Sequence, residues 1–516
     1  MSMTIKSYLE SKSDQYGDKE FLIFQDKSYT FEEINDMSNK FANYLDEYGL
    51  DRGEKISIML PNCPEYIICW FGASKNGIIN VNVDVNLKGD MLKRQITTGN
   101  PKILVIHQNY LNRYKKSDLS NEIDTLLIVG SNTDSTSDSN SVRKFEDVMQ
   151  GRSKELNSER NISRGQTDSV IFTSGTTGPA KGCLLPGENF VYYGEESGET
   201  IGVQEEDRIF TVTPLYHASN RGNVFTTLSA NASIVIMSDF SASNYWEQVI
   251  DYDATMIINH WAIHGMLLDQ PHRKVETEHN VWSVGPLQGT HAEEFMNRFG
   301  INSAWTAYGS SEAGIATNME VVNDPDSVWT GLYGGYEFES VNVGILNNND
   351  ELLSKGETGE IVVRPDKPHR IFKGYFDNPR KTIDAFENLW YHTGDLGKIE
   401  DGLHFVGRKS TSIRKKGKWV PMEEVENVLE ELPNVSKAIL SGIEGEYGED
   451  IKANIVRSGE LAPEEVIGYS QENLADHMIP RYVEFLEESA IPTVGGTEKI
   501  QRYKLEGVKD AWDRKS

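Results

Sequence analysis

The chain has 516 residues, 38% of them hydrophobic and 25% charged, with a formal net charge of −28. Its length exceeds what one ordinary core holds and predicts two or more domains in a globular enzyme. The acidity argues against a nucleic acid or an anionic membrane surface as partner. No apolar run approaches a membrane span, and M-S-M-T-I-K-S-Y lacks a signal-peptide core. Cys63, Cys69 and Cys183 form neither a metal-binding spacing nor an even disulfide set, so a cytoplasmic location is expected.

Ile5, Tyr8 and Leu9 open a helical pattern. In S-Y-T-F-E-E-I, Thr30 is an N-cap with Glu33 three residues on, and Phe31, Ile34, Met37, Phe41 and Leu45 keep helical spacing to Gly49. Strands are expected at 54–60, 78–85 and 102–106, with a helix opening at P-N-C-P-E-Y. This alternation indicates a parallel, layered α/β sheet. From Gly130 to Ser141 the chain has no apolar residue and reads as a surface loop. No internal repeat stands out.

An apolar run, Val170–Ile171–Phe172, leads into T-S-G-T-T-G-P-A-K-G, residues 173–182. Thr173, Ser174, Thr176 and Thr177 supply hydroxyls, Gly175 and Gly178 permit close backbone approach, and Lys181 adds a positive charge. Such a loop can wrap phosphate oxygens. It is not G-x-x-x-x-G-K-[ST], because the lysine follows Gly178 by three residues and Gly182 follows it. Taken alone, it reads equally well as a flexible Gly/Thr loop.

The string resembles the phosphate loop of the adenylate-forming superfamily, which comprises acyl-CoA synthetases, luciferases and peptide-synthetase adenylation domains. Here Ala180 stands where most members have proline, and Pro179 lies one residue earlier. The N-terminal order of T-F-E-E-I, G-E-K-I-S-I-M-L-P-N and G-I-I-N-V is also similar, with N-V-D-V-N-L-K-G as a variant.

After the loop, Leu185–Glu196 suggests a loop and a helix. R-I-F-T-V-T-P-L-Y-H then reads as a strand ending at Pro214 and His217. A lone histidine at a strand end is ordinarily structural. P-L-Y-H is similar to the family's P-L-F-H element, which implies that Tyr216 and His217 flank an acyl pocket. His260–Trp261, after the apolar strand A-T-M-I-I-N, is expected to continue that pocket, and G-P-L at 285–287 to follow another strand.

In W-T-A-Y-G-S-S-E-A-G, residues 305–314, Tyr308 offers a face for adenine and Glu312 a hard oxygen for Mg²⁺. Ser310 and Ser311 can reach the α-phosphate or the carboxylate of the acid. A turn with a helix cap is the alternative. The stretch is similar to the family's Y-G-x-T-E, with Ser311 in place of threonine; Gly309 is its glycine and Trp305 borders the pocket. W-Y-H-T-G-D-L-G sets Asp395 after a glycine turn, and D-G-L-H-F-V-G-R-K follows. The resemblance makes Asp395 the ribose-binding acid and Arg408 the arginine near the nucleotide.

The resemblance implies a large layered α/β domain, 1–409, and a small mobile α+β lid, 410–516, pivoting at Ser410 where relatives have Asp or Lys. Past it, P-M-E-E-V-E-N-V-L is an amphipathic helix, S-K-A-I-L-S-G-I and D-I-K-A-N-I-V-R are strands, and a helix covers roughly 463–476. Lys499, in I-P-T-V-G-G-T-E-K-I, corresponds to the catalytic lysine of the family. This sequence departs from the family's element by one extra residue between Pro492 and Lys499 and by Glu498 in place of glycine. The basic loop Arg414–Lys418, with Lys416 and Gly417, is expected to face coenzyme A.

The implied activity is ATP-dependent ligation of a small carboxylic acid to a thiol through acyl-AMP. ATP, Mg²⁺ and coenzyme A take part, Lys499, Glu312, His217 and Thr173 are catalytic, and a homodimer is allowed. T-G-P-A-K-G-C looks most like crotonobetaine/carnitine-CoA ligases, hence a betaine-like acid. An adenylation enzyme loading a carrier-protein thiol and a non-catalytic nucleotide-binding homologue are the rival readings. The sequence carries no carrier domain with its serine attachment motif, which favours coenzyme A.

Overall fold

The computed structural model describes the chain apart from residues 1–2, 118, 120–121, 131–141, 159, 174–179, 288–290, 323–335, 410–411, 416–417, 446–447, 493–499, 501, 509–510 and 515–516. Most of the Gly130–Ser141 loop, Ser174 to Gly178, Ser410, Lys416, Gly417 and Lys499 therefore lie outside the described residues. The described chain divides into two compact units, 1–343 with 363–391, and 344–362 with 392–516.

The first unit holds two sheets. One has seven strands in the order Val142–Lys144, Thr125–Val129, Ile103–His107, Lys55–Met59, Ile79–Asn82, Thr167–Thr173, Lys181–Pro186, parallel up to the final antiparallel pair. The other has nine. Its centre, Glu20–Phe24, Ser233–Ile236, Arg208–Thr211, Met256–Ile258, Ser283–Gly285 and Ser303–Ser310, is parallel, and its edges are antiparallel. Central strands such as Ile103–His107 and Ser233–Ile236 are almost wholly apolar or small, as strands covered on both faces must be.

Local signals set the first helices. Thr30 Oγ1 accepts the Glu33 N–H at 3.2 Å and Glu33 Oε2 accepts the Thr30 N–H at 3.0 Å, which starts Phe31–Glu47. Pro64 opens Pro64–Asn76, where a missing N–H costs nothing. Among the described residues no helix is long and apolar enough to cross a membrane. The three cysteines are buried and unbridged.

One expectation is corrected, and two alternatives to the motif readings are set aside. The chain after the phosphate loop is a strand as far as Pro186, because K-G-C-L-L-P pairs back on Thr167–Thr173; the helix starts at Gly187. The 305–314 stretch is a β-hairpin, Ser303–Ser310 turning into Gly314–Val322, and not a helix cap. Asp395 lies within the strand Tyr391–Ile399 and not in a free turn, with Gly394 supplying a left-handed residue (φ 73°) inside it.

In the second unit Val435–Gly445 and Gly448–Arg457 form a long antiparallel pair. Tyr482–Leu486 adds in parallel, and the Ser412–Lys415/Lys418–Pro421 hairpin sits on the other side. Helices Met422–Glu430 and Pro463–Asn473 bury Val425, Leu429, Val466 and Ile467 in the core of this unit. The strand Leu403–Arg408 and residues 344–362 and 392–399 belong to the same unit.

Candidate active site

The Thr167–Thr173/Lys181–Pro186 hairpin carries the candidate phosphate loop at its tip, with Thr173 and Lys181 directly opposite each other. Thr173 Oγ1 donates to the Lys181 carbonyl at 3.4 Å. The outer edge of Lys181–Pro186 is capped by residues 373–376. The Phe376 N–H donates to the Gly182 carbonyl at 2.7 Å, and the Leu184 N–H to that of Gly374 at 2.9 Å. This seats Tyr375 beside the lysine, Nζ lying 4.2 Å from the ring centroid.

Tyr375 also joins the loop to the second motif. Its hydroxyl donates to Glu312 Oε1 at 3.0 Å, and the Phe372 N–H donates to the Glu312 carbonyl at 2.9 Å. Glu312 is 8% exposed, beside buried Cys183, Tyr375 and Tyr391. Burial and then the Glu312 charge push the Tyr375 phenol and the Cys183 thiol above their ordinary ranges, so both remain protonated donors. A buried carboxylate next to a phosphate-type loop is a hard oxygen donor of the kind Mg²⁺ shares with substrate phosphates. The donor set fits that ion.

Tyr308 is buried in the strand before the turn, Ser310 Oγ accepts the Ala313 N–H at 3.0 Å, and Ser311 stands half-buried beside Glu312. The turn is further held by Arg370, fully buried. Its Nη2 donates to Glu196 Oε2 at 2.8 Å and to the Ile315 carbonyl at 2.6 Å, and its Nε donates to Ser340 Oγ at 2.6 Å. Sequence reasoning passed over Tyr375 and Arg370, since neither stands in a chemically loaded motif; the G-Y-F-D-N-P phrase around Tyr375 was the available signal.

Tyr216 and His217 end the segment after Arg208–Thr211, and His217 is the N-cap position of Ala218–Ala230. Asn62 Oδ1 accepts the Leu215 N–H at 2.7 Å and its Nδ2 donates to the Thr213 carbonyl at 2.9 Å, pinning this segment. Asn86 Nδ2 donates to the Tyr216 hydroxyl at 3.1 Å. The His217 edge is solvent-accessible, yet its burying surroundings hold the imidazole below its ordinary range, Asp84 opposing and His260 adding to the effect. Asp84 and Asn86, in the variant N-V-D-V-N stretch, are thus site neighbours that sequence reasoning did not single out. Trp261 is the first residue of the helix Trp261–Leu268; its side chain lies outside the described residues. Trp305 is buried and its indole lies flat on Gly285: a Cβ there would sit 2.5 Å from ring carbons.

In the second unit, Asp395 and Arg408 face each other across an antiparallel pair, with Arg408 Nε 3.2 Å from Asp395 Oδ1. Glu360 supports them. Its Oε1 accepts the Gly394 N–H at 3.1 Å, and its Oε2 lies 2.8 Å from Lys409 Nζ and 3.3 Å from His392 Nδ1. Thr393 Oγ1 donates to the Ile361 carbonyl at 2.7 Å and accepts the Asp395 N–H at 3.0 Å. Burial alone would raise the Glu360 pKa; His392 and Lys409 outweigh it and hold the carboxyl down to about 2.

A family profile described as AMP-binding enzyme matches residues 9–376. A crotonobetaine/carnitine–CoA ligase of Salmonella agona (strain SL483) is 28% identical over 487 residues, covering 91% of this chain and 93% of that protein. Among solved structures, ATP-bound MatB from Rhodopseudomonas palustris superposes with a TM-score of 0.79 at 20% identity, covering 98% of each chain. O-succinylbenzoate coenzyme A synthetase (MenE) from Bacillus subtilis, in complex with AMP, gives 0.77 at 22%, covering 98% of this chain and 99% of that one. The chain belongs to the AMP-binding enzyme family.

Proposed function

We propose that this protein is an AMP-forming acyl-CoA ligase acting on a small carboxylic acid, with a betaine-like, cationic-headed acid as the specific substrate. A carboxylate is a poor acyl donor because its leaving group would be oxide. A carboxylate oxygen attacks the α-phosphorus of ATP, the bond to pyrophosphate breaks, and the acid becomes acyl-AMP. The thiol of coenzyme A then loses its proton, its sulfur attacks the acyl carbon, and the bond to AMP breaks.

The first step is charge neutralisation around an in-line displacement. The 173–182 loop, with Thr173 and Lys181, takes the β- and γ-phosphates. Glu312 would hold Mg²⁺, which when bound neutralises phosphate charge. Tyr308 and Gly309 receive the adenine, Ser310 and Ser311 the α-phosphate or carboxylate, and Asp395 and Arg408 the ribose side of the nucleotide. Lys499 bridges carboxylate and α-phosphate. Tyr216, His217, Trp261 and Trp305 line the acid's pocket. For thioester formation residues 410–516 turn as a lid about Ser410, withdrawing Lys499 and bringing Lys416 and Gly417 to coenzyme A. The reading places the enzyme in the cytoplasm and allows a homodimer.

The observation that carries this reading is the Lys181–Tyr375–Glu312 chain, which ties a cation at the phosphate-loop hairpin to a buried carboxylate on the next motif. A panel of small carboxylic acids, assayed for pyrophosphate and AMP release with and without coenzyme A, tests it. Acid-dependent AMP release that turns over only with coenzyme A is expected. Turnover only with a pantetheinylated carrier protein would transfer the enzyme to carrier loading, and no release with any acid would remove the activity. Lys499→Ala should abolish acyl-AMP formation while leaving thioester formation from pre-made acyl-AMP; equal loss of both would exclude its role.

A further inference from the structure

A turn at Asp84–Leu87 follows the strand Ile79–Asn82, closed by the Leu87 N–H donating to the Asp84 carbonyl at 3.2 Å. Its start is fixed on three sides. The Val83 N–H donates to the Ile58 carbonyl at 3.0 Å, the Asp84 N–H to Oε1 of buried Gln95 at 3.0 Å, and Asp84 Oδ1 accepts the Asn86 N–H at 2.8 Å. Asn86 then reaches across to the 214–217 segment, its Nδ2 donating to the Tyr216 hydroxyl at 3.1 Å. The Tyr216 and His217 ring centroids lie 4.6 Å apart. A carboxylate, a phenol and an imidazole from two segments far apart in the chain are thus gathered in one place.

The carboxylate there lacks a counter-charge more than it lacks hydrogen bonds. Asp84 is half-buried, accepts from Asn86 and has the Tyr216 hydroxyl as a further donor within reach. Among the described residues no lysine or arginine forms an ion pair with it. His217 does not supply the missing charge either, because burial, with His260 adding to it, holds the imidazole below its ordinary range despite Asp84. A carboxylate drawn out of water without a partner of opposite sign is costly to keep charged. A cation arriving beside it gains from the carboxylate and from the adjoining aromatic ring. A quaternary ammonium fits this pair closely. It carries positive charge and apolar methyl surface, and it needs no hydrogen-bond acceptor from a carboxylate already engaged by its own turn.

We propose that Asp84 is a specificity-determining residue, the counter-charge for a quaternary ammonium on the substrate acid, acting together with the Tyr216 ring. This rests on the reading of Tyr216 and His217 as lining of the acid's pocket and of the acid as cationic-headed.

The test compares a trimethylammonium acid with its tert-butyl isostere by kcat/KM for pyrophosphate release, using the full chain and ATP. The two acids have equal volume and differ in charge. The wild type is expected to favour the cationic acid at least about tenfold. Asp84→Asn keeps the size and the acceptor for the Asn86 N–H and removes only the charge; it is expected to lower that ratio at least about tenfold. Asp84→Glu, which restores the charge one methylene further out, is expected to retain a preference for the cation. Asp84→Ser, whose hydroxyl also accepts from a turn N–H, serves where the asparagine variant does not fold. Equal losses on the two acids in Asp84→Asn, the mark of a purely structural turn, overturn the proposal, and so does a wild-type ratio of one. If no acid releases pyrophosphate, the ligase reading fails. Calorimetric titration of wild type and Asp84→Asn with the two acids then decides this proposal by itself. Charge-selective binding that the substitution abolishes supports it, and equal affinity of the wild type for the two acids overturns it.

Discussion

The Tyr375 hydroxyl donates to Glu312 Oε1 at 3.0 Å, and the same ring carries Lys181 Nζ 4.2 Å from its centroid. One side chain therefore orients both the carboxylate and the cation proposed to face the triphosphate. Its two functions separate by substitution. Tyr375→Phe removes only the donor to a buried carboxylate, a loss of about 1–3 kcal/mol. Tyr375→Leu also removes the π face under Lys181, roughly a further 0.5–2 kcal/mol. Adenylation rates are expected to fall in that order, with the KM for ATP rising mainly in the leucine variant. Equal KM values in the two variants would show that the ring does nothing for Lys181.

Glu312→Gln keeps shape and hydrogen-bonding capacity but replaces a hard anionic donor by an amide, a poorer ligand for Mg²⁺. The Mg²⁺ concentration giving half-maximal adenylation should rise and the saturated rate should fall on the order of 10²–10³. A titration superimposable on the wild type would take Glu312 out of the metal's reach.

Glu360 carries a pH signature. Its carboxyl is held down to about 2 in the folded unit against an ordinary value near 4.5. A depressed carboxyl binds fewer protons folded than unfolded, so the stability it contributes is present above the unfolded value. That contribution is lost as pH falls through the window toward 2, at up to about 1.4 kcal/mol per pH unit. Glu360→Gln should flatten the acid limb of a stability–pH curve. Because Oε1 accepts the Gly394 N–H just before Asp395, it should also raise the KM for ATP more than it lowers kcat. Wild-type acid denaturation with an unchanged KM would reduce Glu360 to a surface charge.

The motifs proposed to carry chemistry stand out in the sequence because their spacing is local: T-S-G-T-T-G-P-A-K-G, Y-G-S-S-E and the Asp395–Arg408 pair each adjoin a strand end or lie on paired strands. Helices with caps inside the chain, such as Thr30–Glu33, were legible for the same reason. Long-range pairing was not. K-G-C-L-L-P reads as a loop until Thr167–Thr173 is placed against it, and Tyr375 meets Lys181 and Glu312 only when residues 373–376 dock on that strand, almost two hundred residues later in the chain.

Gly285 has no side chain because Trp305 occupies the place one would take. Gly285→Ala should destabilise the first unit by about 1–3 kcal/mol through overpacking. Trp305→Leu in the same chain should recover part of that loss, measurable as a non-additive term in a double-mutant cycle. Strict additivity would show that the indole moves aside freely and that its place over Gly285 is not fixed.

The fixed indole bears on the acid's head group. A ring held flat against a glycine on one side can offer only its other face, and a quaternary ammonium is drawn to such a face by the ring quadrupole, roughly 0.5–2 kcal/mol when desolvated. Tyr216, tied by Asn86 Nδ2 at 3.1 Å, is a second fixed aromatic in the proposed lining. The same rings would also pack an apolar chain, and burial alone does not tell the two apart. A matched pair of acids does: a trimethylammonium acid and its tert-butyl isostere have equal volume and differ in charge. Trp305→Leu keeps apolarity and removes the π face. If the ring recognises a cation, kcat/KM for the trimethylammonium acid should fall about tenfold more than for the tert-butyl acid, which corresponds to about 1.4 kcal/mol. Trp305→Phe, which retains a weaker ring, should lie between. Equal losses for the two acids would leave Trp305 as packing and exclude a cationic head group at this ring.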